Sequence, residues 1–370
     1  MLARPLNKHI KVRGANEKRR WTLNYPSTAE PVNNPFYSHL PGISITDLLW
    51  FVATNTAFLS EFTHVLDRYV KHEPEPREIL AGIVAMGTNM GLWNMAEVSG
   101  LSHASLMITA RNFLQLETLP TANDAISNAI AMLPAFHHHD IQDVLHSSSD
   151  GQRLETQINT INARHSPKYF GLQKGVTSYT LVANHVPINA KIIGTHEHES
   201  HYVFDLLYNN TSEIKPERHS TDTHGTNQVN FWTLHTFGYR FAPRYRDLHK
   251  KMGSLVGFQH PSHYRDFLIK PSNKVKEELI AQEWPNIQRI MVSLAQKDVT
   301  QATIIRKLAS YVRQNKTMKA LGELDNICRT LYILEFIDEP ELRERTEGSQ
   351  SWRSLSPPPA CRGFRQRRKV

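Results

Sequence analysis

Cysteine is nearly absent. Cys328 and Cys361 are the only two in 370 residues, which excludes a disulfide framework and a zinc site built on several thiolates. So few thiols point to a reducing, cytoplasmic compartment. Long hydrophobic runs are missing too. A membrane-spanning helix needs about 20 apolar residues in succession, and the best stretch, Ile79 to Met86, is short and is followed by Thr88 and Asn89. The opening MLARPLNKHIKVRG is basic but lacks the apolar segment of a secretory leader, so none is expected there. What is present is ordinary globular material: 40% hydrophobic and 21% charged residues, enough for two or three compact units.

The net charge of +8 is a property of the two ends. Residues 1–20 hold seven Lys and Arg against Glu17, and residues 346–370 hold six against Glu347, giving +6 and +5 and leaving −3 for everything between. Basic ends of this kind fit a nucleic-acid partner and fit equally well a solvated tail.

Proline and charge without any period mark residues 1–45 as a linker. From Thr46 helical spacing sets in, with Thr46 and Asp47 as the cap and Leu48, Leu49, Val52, Phe58, Leu59, Phe62, Val65 and Leu66 as the apolar face. Pro74 and Pro76 break it. Further helices are expected from Arg77 toward Gly87 and Gly91, from Ser102 to Leu116 and from Asn123 to Met132, so residues 46–145 form an α-helical region. After Ser147 the period changes. Residues 168–194 are rich in Tyr, Val, Thr and Ile and predict a meander of two or three strands. A helix over Glu197 to Tyr208, a short strand into Thr221 and Asp222, a helix over Thr226 to Phe237 closed by Gly238, and a strand over Tyr239 to Tyr245 follow. Residues 146–270 thus read as an α/β core, 271–345 as a helical segment and 346–370 as a disordered basic tail.

Two carboxylates have unusual neighbours: Ser149-Asp150-Gly151-Gln152 and Thr221-Asp222-Thr223-His224-Gly225. Each follows small polar residues and precedes a break, which places it at a strand end, on the sheet edge where α/β folds build sites. Two such carboxylates on neighbouring strands can hold Mg²⁺ or Mn²⁺, which prefer oxygen ligands.

The stretches MGLWNMAEVSG (90–100), ETLPTANDAI (117–126), SSDGQR (148–153), STDTHG (220–225), FGYRFAPRYRDL (237–248) and LGELDNICRTLYILEFIDEPELRER (321–345) resemble, in order, successive blocks of the Tn3-family transposases. The resemblance implies an RNase H-like fold with a DDE core, preceded by a helical region. It implies that Asp150 and Asp222 are the first two catalytic, metal-binding acids, that the cofactor is Mg²⁺ or Mn²⁺, and that the protein cuts transposon ends and joins them to target DNA. The implied partners are transposon-end and target DNA, with self-association of intact members on DNA, no membrane, and a place in the bacterial cytoplasm at the nucleoid. Members are much longer, with N-terminal DNA-recognition regions that have no counterpart here. The third acid of the family lies in an Asn-x-Gly-Glu motif after the Pro-Glu-Leu-Arg block. Here Pro340-Glu341-Leu342-Arg343 is present, but Thr346 to Ser354 hold no such motif, and Ser354 stands about where the Glu belongs. Written as TCN CAR TCN TGG AGR AGY TTR and read one base later, residues 349–355 permit His-Asn-Arg-Gly-Glu-Ala. A frameshift near Thr346, and with it an inactive fragment or a non-catalytic DNA-binding or regulatory protein, is the expectation.

Other groups compete for attention. Arg240, Arg244, Arg246, Lys250 and Lys251 form a basic patch suited to DNA phosphates or to plain solvation. His196, His198 and His201 with Glu197 and Glu199 imitate a zinc cluster, the basis of a distant metallohydrolase reading. His137 to His139 fit a solvated turn, and Cys328 fits a helical core stripe.

Overall fold

Helical spacing after residue 45 is realised as α1 (Ile45–Asn55), α2 (Pro76–Gly87), α3 (Leu92–Ser99), α4 (His103–Asn112) and α5 (Thr118–Ala131). The computed structural model describes residues 10–13, 20–23, 39, 41–66, 73–138, 140, 144–156, 160–222, 225–245, 248–310, 315–339 and 342–343. Helix α1 is capped by Ser44, whose Oγ accepts from the Asp47 amide at 3.1 Å, two residues earlier than the sequence suggests. It stops at Asn55 instead of running on to Leu66. A 3₁₀ turn over Phe58–Glu61 follows and turns Phe58 and Phe62 into a core with Ile79, Leu80, Phe113 and Leu114. Burying two aromatic rings outweighs continuing a helix whose own face is nearly all exposed. Pro76 opens α2 at its first turn, where no amide bond is lost. Helix α5 begins at Thr118, before the expected Asn123, because Pro120 lies in the first turn and does not break it. Residues 211–215 complete this unit. Thr211 donates to Asp124, and the Glu213 amide donates to Asn128 Oδ1 at 2.9 Å.

The second unit contains a mixed sheet and the rest of the described chain. Within the stretch read as a linker, β1 (Ile10–Arg13) and β2 (Arg20–Leu23) pair as an antiparallel hairpin, and Trp21 stacks 4.6 Å from His249. The main sheet holds β3 (His146–Glu155), β4 (Arg164–His165), β5 (Lys174–Ala183), β6 (Val186–Gly194), β7 (Arg218–Ser220) and β8 (Arg240–Phe241). The order across it is β6-β5-β3-β7-β8, with β4 also on β5. Strands β3, β5 and β6 run antiparallel, whereas β3, β7 and β8 are parallel. Asn184 and His185, both at positive φ, make the two-residue turn between β5 and β6. Asp150 is therefore in mid-strand, paired with Thr180, not at the strand end that its sequence neighbours suggest.

Between and after the strands come α6 (Val203–Tyr208), α7 (Asn230–Thr236), α8 (Leu248–Met252), α9 (Glu277–Ala295), α10 (Gln301–Ala309) and α11 (Lys316–Asp338). The helices from 277 onward sit in the same unit as the sheet, around a core of Val229, Ile287, Ile305, Met318, Leu321 and Leu324. Two buried carboxylates add caps to helices whose starts also hold a local one, Thr300 Oγ1 at α10 and Asn227 Oδ1 at α7. Asp205 accepts from the Gln301 amide at 2.9 Å, at the start of α10. Asp325 of α11, fully buried, accepts from the Phe231 amide at 2.8 Å and the Trp232 amide at 3.3 Å, at the start of α7. Each satisfies orphan amides and sits at the positive end of a helix. Arg343 Nη1 donates to the Phe336 and Ile337 carbonyls, both at 2.8 Å, and closes α11.

Burial lifts the Asp325 carboxyl from 3.8 to about 7, against the pull of Arg329 and the two amides. Between these values the folded protein keeps a proton that the unfolded chain has released. The stability this group contributes is complete below the unfolded value and is lost as pH rises toward 7. The variant Asp325→Asn keeps an oxygen for the two amides and cannot ionise. Its stability relative to wild type, read from urea midpoints, should therefore improve steadily from about pH 4 to about pH 7. A difference that stays flat over that range contradicts a buried, titrating Asp325.

Candidate active site

The level at which Asp150 and Asp222 stand is set by the parallel pairing of β3 and β7. Ser147 pairs with His219 and Ser148 with Ser220, so each aspartate lies two residues past a paired serine. Because side chains alternate across a strand, each shares a face with that serine. Asp150 thus stands on β3, and Asp222 follows two residues beyond the end of the neighbouring strand β7.

Three pairs of residues are too short a ladder to fix this level alone, and buried polar bonds reinforce it. The His219 ring, fully enclosed, meets Ser147 Oγ at 2.9 Å through Nδ1 and Ser149 Oγ at 3.0 Å through Nε2. Ser149 Oγ in turn meets the Tyr179 hydroxyl at 2.6 Å. One imidazole therefore ties β7 to two positions of β3, and Ser149 ties β3 to β5. On the opposite side of β7, Ser220 bonds His146 Nε2 at 2.8 Å and donates to the Ala242 carbonyl at 2.7 Å.

Asp222 leads into a tight turn. The Gly225 amide donates to both Asp222 Oδ1 at 3.0 Å and the Asp222 carbonyl at 3.1 Å. A Cβ on Gly225 would overlap the Thr221 side chain, so the turn closes this tightly only with glycine. The Arg244 amide donates to the Thr221 carbonyl at 2.9 Å, bringing the start of the basic segment next to Asp222. Beside Asp150, the Glu199 carboxylate lies where a Cβ of Gly151 would be and pairs with Arg153 at 3.5 Å. Arg153 also stacks on Tyr169, 4.1 Å from the ring centre.

A buried amide network backs the Asp222 turn. Asn230 Nδ2 donates to the Gly225 and Ser200 carbonyls, both at 2.9 Å, and its Oδ1 accepts from Gln301 Nε2 at 2.7 Å. Asn227 Nδ2 donates to Ser200 as well, at 2.8 Å. Sequence reasoning missed His219 and Asn230. The polar run SSSD facing RHST was the available signal for the first, since strands that bury serines need a partner for them.

Among the described residues no group of three His, Cys, Asp or Glu is placed to hold a metal ion. Asp150 and Asp222 supply oxygen donors only, which suits a hard divalent cation and not zinc. The histidine-rich turn is arranged otherwise. Glu197 pairs with Arg306 at 3.2 Å and Glu199 with Arg153, while His198 Nδ1 meets Ser200 Oγ at 2.8 Å. His201 stacks 5.7 Å from His198, and burial together with that neighbour lowers its pKa. The acids of this turn face arginines, so the zinc reading has no support in the geometry. Of the basic patch, Arg240 is exposed on β8, Arg244 is half-buried, Lys250 is exposed on α8, and Lys251 lies 5.8 Å from the Tyr245 ring centre. Arg246 lies outside the described residues, as do residues 344–370.

A family model described as the Tn3 transposase DDE domain matches residues 47–351. The transposase for transposon Tn1546 of Enterococcus faecium is 31% identical over 335 residues, covering 89% of this chain and 33% of that protein. The transposase for transposon Tn501 of Pseudomonas aeruginosa is 35% identical over 86% of this chain and 32% of that protein. The one for Tn3926 of Escherichia coli is 34% identical, with the same coverage. The chain spans about a third of the length of these curated relatives.

Replacing His219 by Phe keeps an aromatic ring, somewhat larger than imidazole, and deletes both serine bonds. The loss should be about 1–3 kcal/mol of unfolding free energy, the cost of stranding buried hydroxyls. Urea denaturation measures it, and an unchanged midpoint would show that the network is not what fixes β7.

Proposed function

Because the chain belongs to the Tn3 transposase family, we propose that its sheet unit is the RNase H-like catalytic core of a DDE transposase acting on transposon-end and target DNA. The observation that supports this reading is that Asp150 on β3 and Asp222, just past the end of the parallel neighbouring strand β7, each follow by two residues the paired Ser148 and Ser220. Three antiparallel strands followed by two parallel ones, ordered β6-β5-β3-β7-β8, are the strand plan that an RNase H-like core requires.

In this reading Asp150 and Asp222 would be the residues that hold Mg²⁺ or Mn²⁺. Such a cation, when bound, supplies Lewis-acid stabilisation for displacement at a phosphodiester. The remaining work belongs to the chain. His219 and the Asp222 turn hold the two carboxylates at fixed separation and spare them reorganisation during reaction. Arg240, Arg244, Arg246, Lys250 and Lys251, which follow the strand beside β7, neutralise DNA phosphates and orient the duplex without reading its sequence. The site of action is the cytoplasm, at the nucleoid, with self-association on DNA in intact members. No described helix is long and apolar enough to cross a membrane.

The same reading extends to what the chain fails to do. The family match runs to residue 351, and residues 346–354 hold no Asn-x-Gly-Glu motif. Two carboxylates without a third leave the cation incompletely held, so this chain binds DNA without cutting it, as a non-catalytic or regulatory fragment does. Incubation with labelled transposon-end DNA and Mg²⁺ tests this, beside a frame-restored protein in which a one-base change near codon 346 returns Asn-Arg-Gly-Glu-Ala. The frame-restored protein should cleave, its Asp150→Ala and Asp222→Ala variants should not, and the 370-residue chain should not. Comparable cleavage by the 370-residue chain, abolished by Asp150→Ala, overturns the account of the missing glutamate.

DNA binding by the chain should be sequence-indifferent and steeply salt-dependent. Replacing Arg240 or Arg244 by Ala should weaken it on every sequence alike and lower the salt slope by about one per lost phosphate contact. A gel-shift titration showing strong preference for one inverted repeat would contradict this.

A further inference from the structure

Two turns flank Asp150 on β3 and Asp222 past the end of β7. One is the Glu199–Ser200 turn, whose Glu199 carboxylate packs on Gly151 and pairs with Arg153 of β3. The other is marked by Asp222 and Gly225, where the Gly225 amide holds Asp222 Oδ1. Asn230 bonds both of them directly, and Asn227 Nδ2 also reaches the Ser200 carbonyl. Asn230 Nδ2 has two hydrogens, and one goes to the Ser200 carbonyl and the other to the Gly225 carbonyl.

The arrangement allows little freedom. Asn230 is completely enclosed. Its Oδ1 accepts from Gln301 Nε2, so the amide cannot flip without placing hydrogens against hydrogens. Gln301 is itself held, its Oε1 accepting from the Phe204 amide at 3.2 Å and its backbone amide bound by Asp205. The Asn230 amide is pinned by Asn227 Oδ1 at 3.0 Å. The chain of restraint runs from the buried Asp205, through Gln301 and Asn230, to the residue that binds the Asp222 carboxylate. A helix cap alone needs only a backbone bond at this position. The two cross-turn bonds serve the turns.

We propose that Asn230 is the positioning residue of the metal site. By fixing Gly225 against Ser200 it sets the direction of the Asp222 carboxylate relative to Asp150. The proposal rests on the reading of Asp150 and Asp222 as cation ligands, and it gives a carboxamide with no chemistry of its own a share in cation affinity. Partners that orient metal ligands in this way are worth about 10–100-fold in affinity.

The test uses the 370-residue chain and Mn²⁺ alone, followed by electron paramagnetic resonance of the free ion. Wild type should bind, and Asp222→Asn should not. Asn230→Ala should bind about tenfold more weakly or worse while retaining the helical circular-dichroism signal. Hydrogen exchange supplies a readout that does not need the metal: the segment 221–226 should exchange about tenfold faster in Asn230→Ala, the effect of losing one buried bond. Should Asn230→Ala fail to fold, Gly225→Ala disturbs the same link while leaving the Asn230 bonds to Ser200 and Gln301 in place, and it should weaken Mn²⁺ to a similar extent. Mn²⁺ affinity within about twofold of wild type in either folded variant, or exchange unchanged at 221–226 in Asn230→Ala, overturns the positioning role. Faster exchange in Asn230→Ala together with a wild type that binds no Mn²⁺ leaves the turn-holding role standing and overturns the metal reading instead.

Discussion

A parallel ladder of three residue pairs sets the level of β7 against β3, and with it that of the proposed ligands Asp150 and Asp222. In a strand a slip of one residue sends every side chain to the other face. Slipping β7 against β3 by one position would therefore carry Asp222 away from Asp150. Backbone pairing over so short a length discriminates weakly against such a slip. His219 does the discriminating, because its two nitrogens fit Ser147 and Ser149 only in the observed register. A shifted register would leave several polar groups buried and unpaired, each at about 1–3 kcal/mol. The polarity of these strands, which at first resembles a poor core, is what makes their alignment specific.

Of the helical region, α1, α2, α4 and α5 were legible, because amphipathic periodicity depends on local spacing, whereas α3 (Leu92–Ser99) was not read as a helix of its own. Where periodicity misled, a non-local interaction had won, as at Phe58 and Phe62, whose burial ends the first helix early. The β5–β6 meander was visible in its Tyr, Val, Thr and Ile content. Strand β3 was expected only as far as Asp150; its continuation to Glu155 was hidden, since HSSSDGQRLE has no β-branched residue and its strand character comes from the two neighbours that flank it. Hairpin β1–β2 was hidden in a proline-rich, charged stretch. Asp150 and Asp222 could be found from motif and neighbours. Asn230 could not, because an asparagine next to a helix start has the appearance of a cap, and its bonds to Ser200 and Gly225 span 30 and 5 residues.

Buried acids organise the periphery of the sheet unit in a way that composition conceals. Asp205 and Asp325 stand in segments that read as ordinary helix, where an aspartate is usually solvated. Each instead reaches across to the start of another helix, and burial raises the pKa of both. Asp325 Oδ2 has no hydrogen-bond partner, and the Arg329 guanidinium is 3.9 Å away, so the carboxyl binds two amides through one oxygen and bears the cost of burial through the other. The helices that support β7 and the Asp222 turn are thus pinned by groups whose charge is costly, which makes this part of the molecule more sensitive to pH than its modest net charge suggests.

The helical unit is discontinuous in sequence, since residues 211–215 belong to it while the strands before and after them do not. This has a consequence for synthesis. As the chain leaves the ribosome, α1 to α5 emerge complete and can collapse on Phe58, Phe62 and Phe113, but Asp124 and Asn128 still lack the partners that Thr211 and Glu213 bring. Those partners arrive only after β3, β5 and β6 have been made, and immediately before β7. The last contacts of the first unit therefore form at the moment when the strand leading to Asp222 is about to appear. Maturation of the helical unit and insertion of β7 are adjacent events in time, and a ribosomal pause near residue 215 would act on both.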